Sequence, residues 1–263
     1  MKYLVTGGAG FIGSHIAQTL IKNGQAVRIL DNFSSGKEEN IKNFIDNVEI
    51  MRGDIRDKKV CLEATKNIDF VLHQAALRSV PKSLVNPSDY NEVNIQGTLN
   101  ILEAARYNKI KSFVFASSSS VYGDTDKFPQ KEDAPSKLIS PYALSKLAGE
   151  YYCKIFAKHY GLNTVSLRYF NVFGPRQALD DEYAVVIPKF ITCMLNNQRP
   201  PIFGTGKQSR DFTFVANVVQ ANILASKNKK ASGEVFNVAG GKDYSILELV
   251  ELLNNILGKN ILP

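Results

Sequence analysis

The sequence predicts an α/β fold, a doubly wound parallel sheet with a smaller, interleaved C-terminal lobe. Two observations carry that expectation. Short β-rich runs alternate with helical patterns through the first 170 residues, and a glycine-rich turn of regular spacing lies directly behind the first run. The bulk numbers agree, since 263 residues with 44% hydrophobic and 22% charged side chains make an ordinary globule with chain enough to bury a core.

Residues 3–6 are apolar up to Thr6 and read as the first strand, and residues 11–23 follow as an amphipathic helix stopped by Gly24. Residues 26–30, 48–52, 70–73 and 113–116 continue the series of strands. A long helix then starts with Ser140 as N-cap and Pro141 in the first helical position, and a sixth strand follows at 164–169. From 171 to 209 the composition turns to Pro, Gly and mixed polar residues, which marks entry into the second lobe. The chain is expected back in the sheet at 210–218 and again at 235–238. The division is therefore 1–170, rejoined at about 210–240, with a lobe of 171–209 and 241–263. A last helix is expected at 245–257, with Ser245 and Glu248 as a capping box and Gly258 past its end.

The turn behind the first strand reads Gly7-Gly8-Ala9-Gly10-Phe11-Ile12-Gly13. Gly7 allows a tight bend, Gly10 lets the backbone approach a pyrophosphate, and Gly13 packs the helix closely on the strand. The helix behind it aims free N–H groups at phosphates, so the motif is the dinucleotide fingerprint of a Rossmann sheet. Asp31 ends the second strand 18 residues after Gly13. There a carboxylate accepts hydrogen bonds from the adenine ribose and repels a 2′-phosphate, which makes NAD the expected cofactor rather than NADP. Phe11, Ile12 and Asn32 fall on the same candidate surface. Asp54 and Ile55, after the third strand, are placed at the adenine, and Ala75 and Ala76, after the fourth, at the nicotinamide half. Read alone, either pair fits ordinary strand-end residues equally well.

Tyr142 and Lys146 stand i and i+4 on one helix face. A free phenol titrates near pH 10, so a base for neutral pH needs a fall of about 3 units, roughly 4 kcal/mol. One positive charge about 5 Å away at an effective dielectric near 20 supplies about 3 kcal/mol, and Lys146 with oxidised NAD would supply two charges. The fifth strand closes in Ser117-Ser118-Ser119-Ser120, at the carboxyl edge where ligands bind in parallel sheets. A serine there can hold a substrate hydroxyl and pass its proton to Tyr142.

Taken in this order, the glycine turn, Asp31, the serine run and Tyr142/Lys146 resemble the extended short-chain dehydrogenase/reductase family. Within it the chain is similar to UDP-hexose 4-epimerases of the UDP-glucose or UDP-N-acetylglucosamine type. The resemblance runs from Lys2 to about Leu257 and is most specific in the glycine turn, in His73-Gln74-Ala75-Ala76, in Arg168-Tyr169-Phe170-Asn171-Val172-Phe173-Gly174 and in Ser209-Arg210-Asp211-Phe212. It implies Tyr142 as base, Lys146 as the partner that lowers its pKa and binds the nicotinamide ribose, and Ser118, with Ser119 beside it, on the reacting sugar oxygen. It further implies Asn94 and Tyr169 on the cofactor side, Asn171 and Arg210 on the diphosphate, Val186 and Lys189 along the site, and Phe203 against the uracil. Arg176 and Gln177 are looser candidates. The implied reaction is NAD-dependent epimerisation at C4 of a UDP-linked hexose through a transient 4-keto sugar. Members of the family usually continue with a further C-terminal segment, so the expectation is a reduced lobe or an incomplete chain.

UDP-uronic acid epimerases and decarboxylases, and nucleotide-sugar dehydratases, begin with the same oxidation. Dehydratases carry an acid in the serine run, and Ser118-Ser119-Ser120 has none. A non-catalytic NAD-binding regulator is the alternative of another class, and the intact Ser118, Tyr142 and Lys146 argue against it. Cys61, Cys153 and Cys193 are odd in number and lack CxxC spacing, so neither disulfides nor zinc is expected and a reducing cytoplasm fits. No run approaches the roughly 20 apolar residues that cross a bilayer, so no membrane partner is expected. The net charge of +7 is spread over scattered lysines, which argues against a nucleic-acid partner. A homodimer through the helices at 99–107 and 144–156 is the expected assembly.

Overall fold

The computed structural model describes residues 1–125, 127–178 and 186–262. Its strands are β1 (Lys2–Thr6), β2 (Ala26–Asp31), β3 (Glu49–Arg52), β4 (Phe70–His73), β5 (Ser112–Ser118), β6 (Thr164–Tyr169), β7 (Val172–Phe173), β8 (Ser209–Asp211), β9 (Thr213–Phe214), β10 (Val235–Val238) and β11 (Asp243–Ser245). Its helices are α1 (Phe11–Lys22), α2 (Lys58–Ala64), α3 (Val80–Val85), α4 (Pro87–Tyr90), α5 (Gly97–Tyr107), α6 (Pro141–Tyr160), α7 (Val186–Leu195), α8 (Val215–Lys227) and α9 (Ile246–Leu257). Among the described residues no helix is long and apolar enough to cross a membrane.

The chain forms two compact units, Met1–Tyr169 with Val215–Val238, and Phe170–Phe214 with Ala239–Pro263. In the first, seven parallel strands lie in the order β10-β6-β5-β4-β1-β2-β3. The strand order reverses between β1 and β4, and in open sheets of this kind ligands bind at the carboxyl ends of the strands flanking that reversal. Both faces of the central strands are covered, which is why they read as unbroken apolar runs instead of alternating. Leu4, Leu30, Val71, Phe113 and Phe115 pack with Ile101, Leu102 and Ala105 of α5 and with Cys153 and Phe156 of α6.

One expected return to the large sheet is made by a helix instead. Residues 210–218 do not rejoin the sheet: β8 pairs antiparallel with β11, and β9 pairs parallel with β7. The chain re-enters the first unit as α8, where Val215, Val218, Val219 and Asn222 are buried at helical spacing. The β-branched composition of 215–219 resembles a strand, and only the burial period shows the helix. β10 alone joins the large sheet.

In the second unit, Phe190 and Met194 of α7 pack on Ile246, Leu249, Val250 and Leu253 of α9. Ser245 caps α9 through the Glu248 N–H at 3.2 Å, and the Glu248 carboxylate accepts the Ser245 N–H at 2.7 Å, the reciprocal box read from the sequence. Gly258 ends the helix in the left-handed region at φ 64°.

Helix α6 approaches β5 more closely than a side chain allows. A Cβ on Gly149 would stand 2.2 Å from Cζ of the buried Phe115 ring. Gly149→Ala is therefore expected to overpack this seam and to lower the unfolding free energy by about 1–3 kcal/mol. A urea titration reads this as a lower midpoint at unchanged slope.

Candidate active site

The glycine turn is built so that side chains do not fit. Gly7 has φ +65°, and a Cβ there would lie 2.8 Å from the Ala75 nitrogen; one on Gly13 would lie 2.2 Å from the Gly7 carbonyl oxygen. Gly10 is the N-cap of α1 and offers no capping side chain, and the first turn carries no acid. The leading N–H groups of α1 and the positive end of its dipole are thus left to an anion. Phe11 and Ile12, which begin the helix, are half-buried, and Gly13 is buried.

Asp31 is buried at the end of β2, and its two oxygens accept the N–H groups of Ala9 at 2.9 Å and Phe33 at 2.8 Å. Burial raises its pKa against those two hydrogen bonds. Two oxygens carry about four acceptor positions, so capacity remains for a diol. Gly36 keeps that approach open: a Cβ there would stand 2.8 Å and 2.9 Å from the two carboxylate oxygens. Gly36 was not singled out from the sequence, where it is one more loop glycine. The orphaned helix N-terminus, the close glycines and the positioned carboxylate fit a dinucleotide.

The neighbouring candidates divide. Asn32 donates to Asp54 at 2.8 Å across the ends of β2 and β3, and Asp54 is paired with Arg56, whose hydrogen bond is the main cause that holds its carboxyl down at about 2. Ile55 instead points into the core, where Gly97 packs on it and its carbonyl receives the Asn100 amide at 3.0 Å. Only its backbone remains for an adenine. Ala75 and Ala76 are half-buried behind β4, and the Ala75 N–H donates to the Thr6 hydroxyl at 3.2 Å. Asn94, in the π-helical turn Asn91–Gln96, accepts from the Leu77 N–H at 2.8 Å and donates to the Leu77 carbonyl at 2.9 Å and the Ser145 hydroxyl at 3.0 Å. It ties the loop after β4 to α6. Tyr169 gives its hydroxyl to Gln74 and Asn222 instead of to the groove, and burial lifts its pKa to about 12.

Ser118, Tyr142 and Lys146 come together at the carboxyl end of β5. The Ser118 hydroxyl lies near enough to Tyr142 to lower its pKa, Ser118 Oγ is 2.8 Å from the Ser120 hydroxyl, and Ser119 is half-buried beside them. The Lys146 ammonium is buried, 5.9 Å from the centre of the Tyr142 ring, and donates to the Ala116 carbonyl at 2.8 Å. The expected depression of the Tyr142 pKa is not produced by the protein's own groups. Burial raises it, and the Ser118 hydrogen bond and the positive field of Arg78 offset that only in part. Lys146 is itself lowered to about 8, because burial outweighs the attraction of Glu150. Positive charges lower a phenol's pKa only where they outweigh the cost of desolvating the phenolate, and here burial prevails.

His73, conspicuous in the sequence only as part of a motif, links the two halves of this groove. Its Nδ1 lies 2.7 Å from the Thr6 hydroxyl and its Nε2 3.0 Å from the Thr98 hydroxyl. Burial, aided by the charge of Lys146, lowers its pKa to about 3.

The second unit has its own cavity of about 300 Å³. Asn171, Val186, Phe203 and Arg210 line it, with Phe173, Gln177, Ile187, Phe190, Gln208 and Phe212 among the others. Phe203 is exposed, and Arg210 is exposed with one guanidinium donor on the Ser209 carbonyl. Asn171 spends its amide on the Asp211 carbonyl at 2.8 Å, bracing the strand that carries Arg210. Lys189 does not line the cavity, since α7 turns Val186, Ile187 and Phe190 toward it and leaves Lys189 at the edge of that stripe. Gln177 is buried with its amide on the Val172 carbonyl at 2.9 Å, whereas Arg176 is not among the lining residues.

A doubly wound sheet with a dinucleotide turn and a Ser/Tyr/Lys set at one strand end defines an enzyme of the extended short-chain dehydrogenase/reductase class. The chain belongs to the NAD dependent epimerase/dehydratase family, whose defining pattern matches residues 3–239, and NAD is its cofactor. It is similar to a UDP-N-acetylglucosamine 4-epimerase from Methanobrevibacter ruminantium, solved with UDP-N-acetylmuramic acid. The identity is 45% and the TM-score 0.94, over 99% of this chain and 83% of that one. A Thermus thermophilus UDP-glucose 4-epimerase in complex with NAD is 37% identical with a TM-score of 0.89, over 99% and 84%. A UDP-N-acetyl-alpha-D-glucosaminuronate decarboxylase of Bacillus cytotoxicus is 40% identical over 97% of this chain and 80% of its own length.

The buried His73 gives a pH test of this architecture. Its folded pKa lies below the unfolded value, so the stability it contributes is complete above about pH 6.5 and is lost as pH falls toward about 3. Between pH 7.5 and pH 5 the unfolding free energy is expected to fall by about 2 kcal/mol on this account. Urea titrations at the two pH values measure it, and His73→Asn should flatten that part of the slope.

Proposed function

We propose that the chain epimerises C4 of a UDP-linked hexose, plain or N-acetylated. The observation that carries this reading is that Tyr142, on whose phenol the Ser118 hydroxyl acts, and the buried Lys146 ammonium share one helix face at the carboxyl end of β5. The first unit would hold NAD through the Gly7 to Gly13 turn, Asp31 and Lys146, with Asn94 fixing the loop beside it. NAD, when bound, supplies a reversible two-electron oxidation of the sugar carbon and, in its oxidised form, a positive charge.

The chain's own groups handle the proton. Tyr142 takes it from the C4 hydroxyl and gives it back, and Ser118 orients that hydroxyl and relays. Lys146 places a buried positive charge on the same helix face, which together with that of oxidised NAD would offset the desolvation that opposes the phenolate. In the second unit Arg210 offers a guanidinium fork that matches phosphate oxygens, and Phe203 an exposed ring for the uracil to stack on. Holding the diphosphate lets a keto sugar turn over without escaping, which uses remote binding energy to retain an intermediate.

One observation favours a second reading, a UDP-uronic acid epimerase or decarboxylase. The positive field of Arg78 reaches Tyr142, and a sugar carboxylate would suit it. The decarboxylase among the relatives supports keeping that substrate class in view. A dehydratase is less well supported, because Ser118-Ser119-Ser120 lacks an acid.

Incubation with UDP-glucose, UDP-N-acetylglucosamine and UDP-glucuronate, followed by NMR of the products, separates the readings. C4 epimers of the neutral sugars are expected; loss of carbon dioxide or water in their place overturns the proposal. Tyr142→Phe should lower kcat by about 10³-fold or more while NAD still copurifies, and full activity in that variant rejects Tyr142 as the base.

We also infer a homodimer. Leu144, Tyr151 and Ile155 form an exposed stripe on α6, and Tyr107 is exposed at the end of α5. Sedimentation equilibrium is expected to give twice the 29.1 kDa chain mass, and Leu144→Glu with Tyr151→Glu a monomer.

A further inference from the structure

Three successive residues at the end of β5 each receive one side chain from α6. The Ala116 carbonyl takes the Lys146 ammonium at 2.8 Å, the Ser117 hydroxyl donates to Glu150 Oε1, and the Ser118 hydroxyl faces the Tyr142 phenol and lowers its pKa. Tyr142, Lys146 and Glu150 are spaced by four residues and so form one stripe on the helix. The reaction described above uses the first two and gives Glu150 nothing to do.

Glu150 is 5% exposed, and both of its oxygens are engaged. Oε1 also accepts from Arg168 Nε at 2.9 Å, and Oε2 accepts from Arg168 Nη2 at 2.8 Å. Arg168 sits on β6 directly beside Ser117, equally buried. It donates to the Glu132 carbonyl at 3.1 Å and lies 4.7 Å over the Tyr122 ring. Tyr122 in turn donates to Asn237 Oδ1 at 2.6 Å, and the Asn237 N–H to Glu132 Oε1 at 2.8 Å. Neighbouring strands and the helix are thereby fixed to one carboxylate. Stability alone gives little reason to keep such a pair, because desolvating both ions offsets most of their attraction and apolar replacements often do as well.

We propose that Glu150 is a positioning residue for the reaction: through Ser117 and Arg168 it locks α6 in register with β5, and it supplies buried negative charge that balances Lys146. This rests on the roles given to Tyr142 and Lys146 above. The charged and titratable groups facing the stripe are Glu150, Tyr142 and Cys153 on α6, Tyr90 on α4, the neutral His73 on β4, Arg168 on β6 with Tyr122 under it and Glu132 beyond it, and Arg78 in the loop after β4. β5 contributes carbonyls and hydroxyls. Burial pulls Lys146 down to about 8, and Glu150 is the group that opposes the fall. Without that carboxylate the ammonium and the Arg168 guanidinium share a dry site uncompensated, and the lysine loses its proton at lower pH.

The test reads Lys146 directly. In protein labelled with [15N]lysine, its Nζ resonance is assigned by its loss in Lys146→Met and followed against pH. The wild-type midpoint is expected at about 8. Glu150→Gln keeps the shape and should lower the midpoint by about 1 unit or more, with the alkaline limb of kcat moving the same way and KM nearly unchanged. Ser117→Ala removes a hydrogen bond and no charge, and should leave the midpoint within about 0.3 unit. The double variant Glu150→Gln with Arg168→Gln leaves no unpaired arginine, so it serves if the single variant fails to fold; its midpoint should fall by less, because a positive charge leaves with the negative one and the nearer carboxylate outweighs it. A midpoint unchanged from wild type in a folded Glu150 variant overturns the proposal. The titration needs no turnover, so a wild type inactive on UDP-sugars would sink the epimerase reading and leave this result standing.

Discussion

The seam between α6 and β5 is the constraint on which the site depends. A helix brought close enough for Gly149 to rest on the Phe115 ring places one face of α6 directly above the last residues of a buried strand. Tyr142 and Lys146 then meet Ser118 and Ala116 without long, floppy side chains having to search for partners. Loosening that seam would move Tyr142 relative to Ser118, and on the proposed roles of these residues the geometry tolerates little displacement.

The electrostatics of the groove follow from its dryness. His73 is held neutral, Lys146 is pulled toward neutrality, and the Tyr142 phenol is raised, all by burial in the first place. Burial therefore keeps the Tyr142 phenol protonated in the protein's own surroundings, against the pull of Ser118 and Arg78. Polar groups in such a place must be satisfied, and the chain from Ala75 through Thr6 and His73 to Thr98 does this while joining the glycine turn to the core of the sheet.

Much of the site was legible residue by residue. Gly7, Gly10, Gly13 and Asp31 declare themselves because their chemistry is local: a turn, a helix start, and a strand end at known spacing. Ser118, Tyr142 and Lys146 could be named because helical periodicity and a strand terminus suffice to put them on meeting surfaces. Ile55, Tyr169 and Lys189 could not be resolved, since each sits beside a functional position and its side-chain direction is set by packing partners far away in the chain, Gly97, Asn222 and the remainder of α7. Gly36 went unnoticed for the same reason, as its value lies only in what it leaves open above Asp31.

The sequence by itself determined the parallel sheet, the dinucleotide turn, the capped helices and the shared helix face of Tyr142 and Lys146, because period, capping and glycine conformations are properties of short stretches of chain. Tertiary structure alone decided that residues 215–227 return as a helix, that a cavity opens among Asn171, Phe203 and Arg210, and that Glu150 pairs with Arg168 beneath the reactive stripe. It also decided the sign of the Tyr142 shift. Each of these depends on burial, and burial is a sum over residues distant in sequence that no local pattern contains.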